Sequence, residues 1–140
     1  MKPDAASIDY IDADVAYLLG LIVAKGAFST RSDETRILIE FPFRAARMDG
    51  FDQFSAYVEA ISRQVLPRIR ALLGNCVELM PAARRVSLVI ALPRTHLVVR
   101  NLLLVLSVDG EGTASQVPKV VTENRELAIE FMRGYADAAA

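Results

Sequence analysis

The 140-residue chain predicts an α+β fold in which helices alternate with pairs of strands in the order αββαββα. Three observations predict it. Two stretches, residues 27–43 and 76–92, alternate apolar and polar side chains on either side of a short polar turn. Helically spaced apolar segments precede and follow each stretch. Small residues recur four apart in the first and last of these segments, Gly20 with Ala24 and Gly134 with Ala138. Two similar halves of this kind imply one antiparallel four-stranded sheet with helices on one face and the other face open.

Asp12 or Asp14 can cap a first helix that runs to Lys25, with Val15, Leu18, Leu19 and Ile22 as its apolar stripe. Gly26 stands where a C-terminal glycine belongs. Strands follow at 27–31 and 36–43, joined by the polar turn 32–35, and in the second Ile37, Ile39, Phe41 and Phe43 alternate with Arg36, Leu38 and Glu40. Pro42 either ends this strand or places it at a sheet edge. Residues 51–73 predict one long helix with Phe54, Tyr57, Val58, Ile61, Val65, Ile69 and Leu72 along one face, kinked by Pro67 and stopped by Gly74. Strands at 76–80 and 85–92 flank the turn 81–84. Thr95 then caps an apolar helix, 96–107, buried on more than one side. Residues 109–118 read as a linker, and the last helix starts near Thr122 with Leu127, Ile129, Phe131 and Met132 as apolar positions.

With 53% hydrophobic and 24% charged residues, the chain is a globular domain rather than a disordered one. Its single cysteine, Cys76, excludes an internal disulfide and a cysteine-based zinc site, and it fits a reducing cytoplasm. The acidic start (Asp4, Asp9, Asp12, Asp14) is unlike a secretory signal, and the most apolar run, 97–108, is short and broken by Arg100 and Asn101. No membrane span is expected. A net charge of −1 argues against a generic nucleic-acid coat protein.

Charge is unevenly placed, however. No acid falls between Leu79 and Val108, where Arg84, Arg85, Arg94 and Arg100 lie, and 25–47 adds Lys25, Arg31, Arg36, Arg44 and Arg47 against Asp33, Glu34 and Glu40. This distribution is compatible with one basic face and equally with ordinary solvated charges. Strand alternation points Ser29, Arg31, Arg36, Glu40, Arg85 and Ser87 from the open face, where arginines suit phosphate or guanine. The same alternation describes any half-solvated antiparallel sheet. His96 has no partner at metal-binding spacing, and the sequence holds no phosphate-cradling glycine loop, Ser/His/Asp order or histidine pair. No cofactor is expected.

A glycine inside a helix costs about 0.8–1 kcal/mol relative to alanine, so Gly20 and Gly134 need a packing reason. Close approach of two helix backbones at Gly20/Ala24 and Gly134/Ala138 supplies one. The segments that carry them, LLGLIVAKG at 18–26 and MRGYADAAA at 132–140, resemble degenerate copies of the LAGLIDADG motif of homing endonucleases. The element order is similar to one repeat of that family followed by the second motif, so the resemblance covers nearly the whole chain. It implies a saddle-shaped sheet lying in the DNA major groove and two motif helices side by side at a pseudo-twofold axis. It also implies a division into a repeat (1–108), a linker (109–121) and a second motif helix (122–140) that opens a truncated second repeat.

The metal-binding acids of the family fall at Lys25 and Ala139, and neither is an acid. Asp137 matches the earlier, mainly structural acid of the second motif, which Val23 replaces in the first. Two-metal hydrolysis needs carboxylates to hold the ions. Ala139 offers no ligand atom, and a charged Lys25 repels a dication by about 8 kcal/mol at about 4 Å with an effective dielectric of ~20. The resemblance therefore implies a cytoplasmic domain that binds double-stranded DNA, holds no metal and does not cut, as a fragment of a larger DNA-processing or regulatory protein. Lys25 either approaches a phosphate directly or complements the dipole at a helix C-terminus. Two other readings stay open. One is an endonuclease, of restriction type or otherwise, whose catalytic residues lie at unaligned positions such as Asp137, in another chain or elsewhere in a longer protein. The other is an oligomerisation module without nucleic acid, in which a homodimer or an intramolecular second repeat meets the glycine helices.

Overall fold

The Asp12 carboxylate accepts the N–H of Val15 at 2.9 Å and opens helix α1, Ala13–Lys25. The computed structural model describes residues 12–42, 50–82, 85–108, 111–114 and 116–139, with side chains of the second helix from residue 55 onward. Gly26 closes α1 without a left-handed turn. Its backbone is extended (φ −96°, ψ 151°), and a Cβ there would lie 2.7 Å from Ile22 Cα. Glycine is required because strand β1, Gly26–Arg31, leaves the helix at once and passes against its last turn.

Strand β2, Glu34–Pro42, returns after a two-residue turn at Ser32 and Asp33. The turn is shorter than the expected 32–35 because Thr35 belongs to the strand, buried with its hydroxyl 3.0 Å from that of Thr30. Strands β3, Val77–Ala82, and β4, Arg85–Pro93, complete an antiparallel sheet in the order β1-β2-β4-β3. β2 is therefore internal, and Pro42 marks its end rather than an edge.

The long helix expected over 51–73 is two helices, α2 (Gly50–Gln64) and α3 (Leu66–Leu73), parted at Val65. Pro67 has no N–H for the carbonyl one turn back and its ring crowds that carbonyl. It sits instead in the first turn of α3, where a missing N–H costs nothing. Gly74 ends α3 at φ 81°, and a single 3-10 turn, Gly74–Cys76, leads into β3.

His96, not Thr95, caps helix α4, Leu97–Leu106: its Nδ1 accepts the N–H of Val98 at 3.2 Å. The lone histidine thus has a structural role. Val98, Val99, Leu102 and Leu106 face the core, but Leu104 is 79% exposed and Leu97 44%. The expected burial of α4 on several sides does not occur, since one side of it meets solvent.

Beyond Val108 the chain returns to the sheet edge. Gly112 exchanges backbone hydrogen bonds of 2.7 and 2.9 Å with Phe28, and Glu111 accepts the N–H of Thr30 at 3.1 Å. This covers the free edge of β1. A short helix α5, Lys119–Thr122, precedes α6, Arg125–Ala139. α6 starts later than Thr122 because Asn124 caps it, its Oδ1 accepting from the N–H groups of Glu126 and Leu127.

One contiguous core joins Leu18, Leu19 and Ile22 of α1 to Phe28, Ile37, Ile39, Leu88 and Ile90 on the inner sheet face. Each such side chain contributes about 1.5–3 kcal/mol on burial. Phe43 and the side chain of Phe54, expected in this core, lie outside the described residues, as do Arg44, Arg47 and Arg84. No helix among the described residues is long and apolar enough to cross a membrane.

Candidate nucleic-acid interface

Two helices meet at their glycines. A Cβ on Gly20 would fall on the carbonyl oxygen of Phe131 and 2.8 Å from the amide nitrogen of Tyr135. A Cβ on Gly134 would fall on the carbonyl oxygen of Tyr17 and 3.1 Å from the amide nitrogen of Leu21. Each glycine thus meets the carbonyl three residues before the other glycine and the amide one residue after it, the reciprocity that a local twofold produces. Ala138 is fully buried and Ala24 half-buried beside this contact.

A polar cluster ties the helices together on one flank. The Tyr17 hydroxyl donates to Asp137 at 2.6 Å, and the Arg68 guanidinium stacks 4.1 Å over the Tyr17 ring. Arg68, from α3, also donates to Asp14 and to Glu130, both at 2.9 Å. Burial, reinforced by the Asp137 carboxylate, pushes the Tyr17 phenol well above its ordinary range. Of this cluster the sequence singled out Asp137, as a motif position, and Asp14, as a candidate helix cap, and no spacing linked them to Tyr17, Arg68 or Glu130.

Lys25 is the last residue of α1 and Ala139 the last of α6. Lys25 is half-buried and lines an open groove of about 800 Å³ with Glu40, Thr113, Met132 and Tyr135. The two helix ends therefore present an ammonium and a methyl. No group of three or more His, Cys, Asp or Glu side chains able to hold a metal occurs among the described residues. The two positions that the LAGLIDADG resemblance assigns to metal-binding acids, Lys25 and Ala139, thus carry no carboxylate.

The outer face of the sheet carries the other candidates. In register, Ser29 opposes Arg36, Arg31 opposes Glu34 and Glu40 opposes Ser87, while Arg85 pairs with the end of β2. Arg31, Arg36 and Arg85 are exposed, Glu40 and Ser87 half-buried, and all point away from the buried row Phe28, Ile37, Ile39, Leu88 and Ile90. The six residues share one face. That face is not basic: Glu34, Glu40 and Glu78 balance Arg31, Arg36 and Arg85 among the described residues. Glu34 holds Arg36 at 2.6 Å and raises its guanidinium pKa, and Glu40 lies 3.7 Å from Arg85. Counting arginines along the chain missed this pairing because register, not segment composition, decides which charges meet. Ala27, Leu38 and Val89 form an apolar row across the middle of the face.

A four-stranded antiparallel sheet with helices packed on one face is consistent with the fold of the LAGLIDADG endonucleases. The chain is similar to solved structures of one of them, I-DmoI. The structure of I-DmoI in complex with DNA and manganese superposes with a TM-score of 0.55 at 17% identity, covering 90% of this chain and 61% of that one. A double variant of I-DmoI with its target DNA nicked in the coding strand, in manganese, gives 0.53 at 16% identity and covers 97% of this chain and 63% of that one. A further variant with target DNA in magnesium gives 0.53 at 16%, with coverages of 90% and 61%. The chain therefore spans about three-fifths of the length of I-DmoI. No family model matches it, and no curated protein matches it.

Proposed function

We propose that this chain is a double-stranded-DNA-binding domain with a homing-endonuclease fold that does not itself cut DNA. The observation that carries this reading is the shared outer face of the sheet, where Ser29, Arg31, Arg36, Glu40, Arg85 and Ser87 present hydrogen-bonding groups in one plane. The major groove admits a two-stranded β-ribbon, and strands of this sheet carry these groups side by side. The DNA in the I-DmoI complexes supports the reading by analogy of fold. The lack of carboxylates at Lys25 and Ala139 supports a non-cutting role, because in-line phosphodiester hydrolysis with metal needs them.

Residues 1–108 form a first repeat, 109–121 a linker and 122–140 the motif helix of a second repeat in a larger cytoplasmic DNA-processing or regulatory protein. The exposed face of α6 supports this. By the Gly20–Gly134 reciprocity, its Ile129, Met132 and Tyr135 correspond to Val15, Leu18 and Leu21 of α1. The three α1 side chains are at most 1% exposed, whereas those of α6 are 46%, 62% and 42% exposed. A second αββαββ unit would cover them as the first covers α1.

Fluorescence anisotropy with labelled duplex tests the proposal. The chain binds duplex DNA, and log affinity falls linearly with log salt by about 0.9 per phosphate contact. With magnesium or manganese it leaves the duplex intact. The same apolar α6 face favours the oligomerisation reading as the second choice. Absent duplex binding at low salt, together with a dimer in light scattering, selects that reading.

A further inference from the structure

The outer face is poorly suited to hold phosphates alone. A carboxylate facing the DNA backbone is repelled, whereas a carboxylate facing base edges can accept a hydrogen bond or hold an arginine in place. Arg36 is held in this way. Glu34, two residues away on the same strand and face, accepts from its Nε at 2.6 Å. No other hydrogen bond or ion pair among the described residues engages the two Nη groups of Arg36, whose side chain is 64% exposed. The pair borders a recess of about 360 Å³ lined by Ser29, Arg31, Glu34 and Arg36. An arginine fixed at Nε presents its terminal Nη pair as a planar fork, and that fork matches the O6 and N7 acceptors of guanine in the major groove.

Resting on the DNA-binding reading above, we infer that Arg36, oriented by Glu34, is a guanine-reading residue, with its two Nη groups donating to O6 and N7. Glu34 keeps phosphate out of the recess and sets the plane of the fork. The neutral pair adds sequence preference rather than salt-dependent affinity, because it brings no net charge to the backbone.

Selection from a randomised duplex library tests this with the unmodified chain, Arg36→Lys and Glu34→Ala. Both substitutions lie on the outer sheet face, and equal melting temperatures verify that the variants fold. The unmodified chain selects guanine at one position of its site by about tenfold or more over other bases. Arg36→Lys loses that preference at that position only and keeps the salt slope, since the charge is retained but the fork is not. Glu34→Ala weakens the same preference severalfold and strengthens binding to unrelated duplex. An unchanged base profile in Arg36→Lys, or a profile without guanine, overturns the assignment while leaving DNA binding in place. No duplex binding by the unmodified chain at any salt concentration overturns both.

Discussion

Gly20 and Gly134 sit where α1 and α6 approach so closely that a side chain on Gly20 would fall on the carbonyl of Phe131 and one on Gly134 on the carbonyl of Tyr17. Backbone carbonyls in helices cannot swing aside as a flexible side chain can. Gly20→Ala must therefore part α1 from α6, at a cost of about 1–3 kcal/mol for overpacking. The melting temperature falls by about 3–5 °C per kcal/mol in a domain of this size. Gly134→Ala has the same effect. The double variant costs less than the sum, because helices already parted accommodate the second methyl. Strict additivity in thermal melts is the outcome that contradicts a shared contact.

Alkaline pH exposes the other half of this helix contact. Burial and Asp137 raise the Tyr17 pKa in the folded state above its ordinary value near 10. Above that pH the unfolded chain releases the phenolic proton while the folded chain retains it, so the unfolded state binds fewer protons and stability falls as pH rises. The contribution is complete below pH ~10 and declines by about 1.4 kcal/mol per pH unit above it. Tyr17→Phe removes one proton from the pH slope of the unfolding free energy in that range. At neutral pH it costs about 0.5–1.5 kcal/mol for the lost hydrogen bond. Urea melts at neutral and alkaline pH measure both quantities; an unaltered alkaline slope shows that Tyr17 titrates normally.

Local patterns in the sequence disclose much of this fold. Alternation in Ile37, Ile39 and Phe41 and in Val86, Leu88 and Ile90 marks the inner sheet face because period two follows from strand geometry. The energetic oddity of Gly20 and Gly134 points to their packing. Features that depend on tertiary partners are not visible this way. Pro67 can kink a continuous helix or start a new one, and packing of α3 apart from α2 decides the outcome. Thr95 and His96 both precede the apolar run of α4, and only backbone geometry selects the imidazole as cap. Arg68 joins Asp14 to Glu130 across elements far apart in sequence, so no spacing rule anticipates it. The balanced outer face likewise depends on register, which brings Glu40 to Arg85.

Among the arginines of the outer face, Arg31 has no carboxylate within 4 Å among the described residues, unlike Arg36 and Arg85. An unpaired guanidinium can neutralise a phosphate without first leaving a carboxylate. Arg31→Ala should lower the salt slope of duplex binding by about 0.9. Arg85→Ala changes it by less, because Glu40 already offsets much of that charge. Anisotropy titrations at several salt concentrations rank the two, and a larger effect at Arg85 reverses the assignment.

The ends of α1 and α6 allow a constructive test of the non-cutting reading. Lys25 at one end and Ala139 at the other supply no carboxylate, and on the non-cutting reading the unmodified chain leaves duplex DNA intact in magnesium or manganese. Lys25→Asp alone places a negative charge at the C-terminal end of a helix and costs about 0.3–1 kcal/mol without metal. Lys25→Asp with Ala139→Asp supplies two carboxylates at the corresponding helix ends. If those ends converge as the glycine contact implies, the double variant gains a site that only the folded state possesses. Manganese then raises its melting temperature, with about 2.7 kcal/mol of stabilisation at a hundredfold excess over the dissociation constant. The unmodified chain shows no such rise under the same conditions. A double variant indifferent to manganese means that positions 25 and 139 stay apart, and the pairing of 18–26 with 132–140 fails with it. Site-specific cleavage by the unmodified chain refutes the non-cutting reading from the opposite side.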